Sequence, residues 1–342
     1  MRRRDVTVCA VAVTLFTMAT LTLVDIAAQG GAKSSAGGSY TPPKTAWGHP
    51  DLQGVWTSDV EIGVPLERPT EFGEKATLTE AEYRQRVERL TKKYNDDKKD
   101  RTAPRGTEAG PEHWYEGAKN VSYRTSLIID PPNGRIPAYT PDAEKRVPKK
   151  GTELGFVGGS FGGGPYDGPE DLALTDRCIT RGLPQTWFPS EYNNGFQIVQ
   201  TPELVTIYFE RLHEARVIPI DGRPHLPSTM RQWMGDSRGR WEGNTLVVDV
   251  TNFSDRTSFR KASTNLHLTE RITRVDAGTV RVEVTVDDPT TWTKPWTFAV
   301  TGKKDPEYWQ ILEYACHEGN YGMRNMLSAS RAQEKREAQK KN

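Results

Sequence analysis

The chain has 342 residues, 35% of them hydrophobic, enough to bury a sizeable core. Lys plus Arg is 46 against 45 for Asp plus Glu, a formal charge of +1, and this balance excludes the basic footprint of a nucleic-acid-binding protein. Its 30 glycines, 23 prolines and nine tryptophans favour short strands and turns over a helical bundle.

Met1 to Arg4 is a basic n-region, Val6 to Val24 an apolar h-region, and Ile26-Ala27-Ala28 a cleavage site. Residues 1–28 therefore read as a secretory signal peptide, with an uncleaved anchor helix as the competing reading. Cleavage implies an exported chain, periplasmic or extracellular, with no stable membrane insertion. Cys178 and Cys316 then remain in an oxidising compartment and read as a disulfide. A loop of about 140 residues gives ~4–5 kcal/mol on the loop-entropy account. A metal site at Cys316-His317 competes with this, but neighbouring side chains on a strand point to opposite faces.

Residues 29–46 form a Gly/Ser/Ala-rich linker containing Pro42-Pro43. One β-rich domain is expected over 47–330 and a charged tail over 331–342. Leu52 to Thr57 reads as the first strand. Thr79 to Tyr94 is an amphipathic helix. Thr79 and Glu82 make a capping box, and Tyr83, Val87, Leu90 and Tyr94 form one stripe. Tyr123 to Asp130 reads as a strand that stops at Pro131-Pro132-Asn133-Gly134. The glycine-rich run from Gly158 to Pro165 lacks the Lys-Ser/Thr ending of a phosphate loop.

From Phe196 onward the pattern is a β-meander. Val205, Ile207 and Phe209 alternate with Thr206 and Tyr208, and Leu246, Val248 and Val250 with Val247, Asp249 and Thr251. Val280, Val282, Val284 and Val286 repeat with period two. Two more strands are expected at Trp296 to Thr301 and Trp309 to His317. The expected fold is mainly β: an antiparallel meander closing as a lipocalin-like barrel, or alternatively a β-sandwich, with one N-terminal helix and long loops.

Several phrases resemble those of a large family of exported bacterial proteins of uncharacterised function. They are Pro50-Asp-Leu-Gln-Gly-Val-Trp56, Arg124-Thr-Ser-Leu-Ile-Ile-Asp-Pro-Pro132, Arg177-Cys-Ile-Thr-Arg-Gly-Leu-Pro184, His213-Glu-Ala-Arg216, Gly239-Arg-Trp-Glu-Gly243 and Ala315-Cys-His-Glu-Gly-Asn-Tyr321. The resemblance spans nearly the whole mature chain and implies no activity. Gly54-Val-Trp56 also resembles the G-x-W opening of lipocalin-type barrels.

The candidate catalytic residues are His213, Glu214, His225 and Asp236. His213 continues the alternation of its strand and shares a face with Arg211, so a proton shuttle and an oxygen-binding guanidinium would meet at a barrel mouth. His225 sits in a loop pinned by two prolines, and Asp236 is its candidate orienting partner. Arg211, Arg216, Arg231, Trp233, Arg238 and His317 are candidate ligand-binding residues. The competing reading for each is a salt bridge, a turn cap or core filling. His213, His225 and His317 lack the close spacings of a metal site, so no metal is expected, and no cofactor either. The leading expectation is an exported barrel that takes a small apolar or aromatic molecule in its mouth. The alternatives are a cofactor-free hydrolase, lyase or isomerase, and a structural envelope protein without a pocket.

Overall fold

A computed structural model describes residues 40–100, 121–147, 166–256 and 259–341. The expected signal peptide, most of the expected linker and the glycine-rich run at 158–165 lie outside the described residues. Ten strands follow in chain order: β1 (Gly54–Thr57), β2 (Ile128–Asp130), β3 (Gly195–Gln200), β4 (Leu204–Phe209), β5 (Glu214–Pro219), β6 (Asp236–Glu242), β7 (Thr245–Thr251), β8 (His267–Asp276), β9 (Thr279–Asp287) and β10 (Trp296–Lys303). Three helices accompany them: α1 (Glu80–Asp100), α2 (Pro141–Lys145) and α3 (Tyr321–Lys341).

All pairings between these strands are antiparallel. The order is β5-β4-β3-β1-β10-β9-β8-β7-β6, with β2 on β10 beside an irregularity at Thr297/Phe298. The chain is therefore mainly β, as its alternation requires. The backbone ladder does not close the sheet into a barrel, because β5 and β6 end the path without pairing to each other. A sandwich is compatible with this order. The two end strands still touch through side chains. A Cβ on Gly239 of β6 would stand 2.7 Å from Ile220 and 2.9 Å from Ile218 of β5.

Period-two alternation builds the core. Val205, Ile207 and Phe209 of β4, Leu246, Val248 and Val250 of β7, and the four valines of β9 all point inward and are buried. Trp296, Phe298 and Val300 of β10 and Trp56 of β1 complete the layer. Partners on the other face are polar, such as Thr285 and Thr297, whose hydroxyls meet at 2.9 Å.

Helix α1 begins as its capping box demands. Glu82 accepts from the Thr79 backbone N–H at 2.7 Å, and Thr79 accepts from the Glu82 N–H at 3.4 Å. Tyr83 stacks on Tyr123 at 3.9 Å, and Leu90 packs over Gly63. Arg86 is buried beside them and donates to the carbonyls of Ser122 and Arg124.

Three expected strands come out differently. The expected first strand begins at Gly54, and only Ile128–Asp130 of the expected 123–130 strand pairs. Residues 309–317 form no strand; β10 pairs with β9 on one side and with β2 and, at Lys303, β1 on the other. This segment is a strap, and Cys316 ties it to Cys178 across 138 residues. The charged tail is not separate, since α3 runs through it to Lys341. No helix among the described residues is long and apolar enough to cross a membrane.

Candidate functional site

At its end β4 stops alternating. Arg211–His213 is a tight 3-10 turn, with Leu212 at φ +60° and His213 at φ +44°. Arg211 and His213 therefore do not share a strand face. Leu212 is buried, while His213 is exposed, with its Nδ1 at 3.1 Å from the Tyr314 carbonyl. The exposed His317 ring lies 6.3 Å from that of His213, on the strap.

Glu214 faces away from His213. It accepts from the Thr180 and Thr186 hydroxyls and from the Arg181 backbone N–H. Burial pushes its carboxyl up, and these hydrogen bonds work against the rise. Two phrases distant in sequence, Arg177–Pro184 and His213–Arg216, thus lock together. Arg216 turns inward, where it pairs with Glu270 at 2.8 Å and donates to Ser237. The Trp187 indole N–H donates to the other Glu270 oxygen at 3.0 Å.

His225 and Asp236 do come together, with Nδ1 and Oδ2 2.7 Å apart. The second ring nitrogen of His225 lies 2.7 Å from Asp249, and His267 reaches the other Asp249 oxygen at 2.5 Å. Arg238 holds Asp236 from its far side at 2.6 Å. Burial works against ionisation at Asp249, but hydrogen bonds from His267 and His225 outweigh it, so the carboxyl lies below its usual range. Asp249 alternates with the inward Val248 and Val250, which places this array on the side of β6–β8 away from the core. Arg231 caps the carbonyls of Phe253 and Thr264. Trp233 packs half-buried on the core, with the Arg256 guanidinium 5.8 Å from its ring. Among the described residues no group of three or more His, Cys, Asp or Glu is placed to hold a metal ion.

A pocket opens elsewhere, at the end of the sheet where β3 begins and β4 finishes. It is small: its free volume is about 10 Å³, room for roughly one water, inside an envelope of about 330 Å³ that includes open solvent. Trp187, Phe188, Phe196, Phe209 and Val300 form its apolar wall. Arg181, Arg211, Asn193, Asn194, Thr186 and Ser58 supply polar groups. Of the residues expected from sequence, Arg211 alone borders it. The Arg211 guanidinium lies 4.7 Å from the Tyr192 ring centre and donates to Ser190.

Arg181 is only 7% exposed and donates to the Phe188 carbonyl at 3.0 Å. Burial lowers its pKa to about 9, the Arg211 charge adds to the fall, and Glu214 opposes it. Behind Asn193 and Gly195, burial raises the fully buried Glu210 to about 7. The Asn193 hydrogen bond resists this and the Asp59 charge adds to it. The remaining Glu210 oxygen, Oε2, and the Tyr308 hydroxyl both lack hydrogen-bond partners. They crowd Gly195 so closely that a Cβ there would stand 2.7 Å from that oxygen and 2.4 Å from the hydroxyl.

Arg181, Glu210 and Tyr314 escape a reading by periodicity, because they lie in turns and in the strap. The expected disulfide was the available pointer. Arg181 lies in the chain just after Cys178 and Tyr314 just before Cys316, so pairing those cysteines brings both segments to one place.

Comparison with known proteins yields no match, whether to a family model, a curated protein or a solved structure.

Proposed function

We propose that this chain is an exported ligand-binding protein that takes a small molecule with an apolar or aromatic body into the pocket at the β3–β4 end of the sheet. The observation that carries this reading is the wall of four aromatic residues, Trp187, Phe188, Phe196 and Phe209, around a pocket with polar groups at its rim. Concave, largely apolar sites with a few convergent polar groups are where small molecules bind. Export rests on the signal-like N-terminus and on the joined cysteines. In this reading the sheet acts as a barrel whose last seam, β5 against β6, is made of side chains, and the resemblance to the exported bacterial family follows from the shared phrases.

The catalytic alternative draws on the 2.7 Å contact between His225 and Asp236. That pair and His213 stand apart from the pocket lining, and Glu214 lies behind it, bonded to Thr186 and the Arg181 N–H, so binding is the better-supported function. Calorimetric titration with a panel of small aromatic compounds tests it. The expected result is saturable binding by the wild-type chain and at least tenfold weaker binding by Phe188→Ala. Equal binding by that variant would contradict the reading.

A further inference from the structure

The pocket carries two guanidiniums where an apolar ligand needs none. Arg181 and Arg211 both border it. Among the described residues neither forms a direct salt bridge. The Glu214 carboxylate acts on Arg181 only through its charge, because its oxygens are taken by two threonine hydroxyls and the Arg181 main chain. Burying an arginine without an anion is costly. The depressed Arg181 pKa records that cost, together with the repulsion from Arg211. Burial raises Glu210 to about 7, so it carries about half of its negative charge at pH 7 and little below pH 6.

The rest of the lining fits the same ligand. Arg211 is held by Ser190 and lies against Tyr192, which leaves its fork pre-oriented rather than solvated. Asn193, Asn194, Thr186 and Ser58 add neutral polar groups around the two cations. The free volume of the pocket, about 10 Å³, admits the oxygens of a compact head group, so a ring would rest at its open side, where Phe188 is half-buried. Aromatic side chains line the remainder.

We propose that the pocket binds an aromatic carboxylate, with its anionic head between Arg181 and Arg211 and its ring against Phe188 and the neighbouring aromatic wall. The proposal deepens the binding function above and rests on it. Guanidinium and carboxylate match as planar forks, and each arginine has N–H groups besides the one it gives to the protein, Arg181 to the Phe188 carbonyl and Arg211 to Ser190. The neutral amide of the same compound offers one oxygen and no charge, and two buried cations discriminate against it.

The test is calorimetric titration of the full mature chain with matched acid and amide pairs: benzoate and benzamide, phenylacetate and phenylacetamide, cinnamate and cinnamamide, indole-3-acetate and indole-3-acetamide. Acetate serves as the head without a ring. The expected result is that at least one acid binds, with its amide at least tenfold weaker. Arg211→Gln should weaken that acid at least tenfold and leave the amide unchanged. Because Arg181 is buried and its loss threatens folding, the rim variant Arg211→Gln is the deciding one, and Arg181→Lys is a second. Amides binding as well as their acids, with no effect of Arg211→Gln, would overturn the carboxylate assignment and leave the aromatic pocket standing. Acetate binding as tightly as every aromatic acid would instead overturn the aromatic wall. Absence of binding by acids and amides alike would overturn both.

Discussion

Glu270 of β8 meets Arg216 of β5 at 2.8 Å inside the sheet, and both side chains are almost wholly removed from water. Strand β5 ends one side of the path and β8 is the third strand from the other end. Their inward side chains can meet only if the two halves of the sheet face each other. The pair is a polar pin through an apolar core, completed by Ser237 and by Trp187 from the pocket wall. The core pin and the candidate site therefore share a residue.

Breaking that pin leaves one buried charge without its partner. Glu270→Leu alone should cost about 3–5 kcal/mol, and Arg216→Met alone a similar amount. The double variant should recover most of the loss, since an apolar pair of similar volume replaces two desolvated charges. Urea unfolding of the four proteins measures this, and additive losses in the double variant would contradict it.

The contact between β5 and β6 depends on Gly239 having no side chain. Gly239→Val places methyl groups where Ile218 and Ile220 already sit, and should cost about 1–3 kcal/mol by overpacking. A second change, Ile220→Ala, should give part of this back. If Gly239→Val leaves the unfolding midpoint unmoved, the two end strands do not press together in solution.

Glu210 makes stability depend on pH. Burial lifts its carboxyl from 4.5 to about 7 in the folded chain. Between those values the folded state holds a proton that the unfolded chain releases. Its stabilising contribution is complete below about 4.5 and is lost as pH rises through about 7. Glu210→Gln removes the titration, so its unfolding midpoint should fall less than that of the wild type between pH 5 and pH 8. Parallel curves for the two proteins would refute this role.

The Cys178–Cys316 bond holds the strap across the site and closes a separation of 138 residues. Loop entropy gives an upper-end contribution of about 4–5 kcal/mol. A Cys178→Ser/Cys316→Ser chain should unfold at lower urea and should bind pocket ligands more weakly, because Tyr314 of the strap, close enough for the Arg211 and Arg181 charges to act on its hydroxyl, is no longer held there. Unchanged midpoint and affinity would show that the strap is held by its packing alone.

Much of the sheet was legible in the sequence, for a physical reason. Val280, Val282, Val284 and Val286 alternate with charged or hydroxyl residues because one face is dry and one is wet, and that pattern is local. The α1 cap was equally local, from Thr79 to Glu82. The cysteine pair was legible from count and compartment. Strand order was not: β1 sits between β3 and β10, and only non-local pairing decides that. The expected strand at Trp309 to His317 failed because local apolar content does not say whether a sheet edge is free. The candidate site was least legible. Arg211 was found from strand alternation, yet the chain turns at Leu212 and places it by a different route. Arg181 belongs to a stretch without periodicity, and its role depends on Glu214 and Arg211, both far from it in sequence.

The central claim is that small aromatic acids occupy the pocket at the β3–β4 end. The most direct measurement is an amide-resonance map of the 15N-labelled mature chain, titrated with the tightest acid of the panel. The account predicts saturable shifts concentrated at Arg181, Thr186, Phe188, Asn193, Asn194, Gly195 and Arg211, with His225, Asp236 and Asp249 unmoved. Shifts centred on His225 and Asp249, with the pocket silent, would contradict it and move the functional site to the outer side of β6–β8.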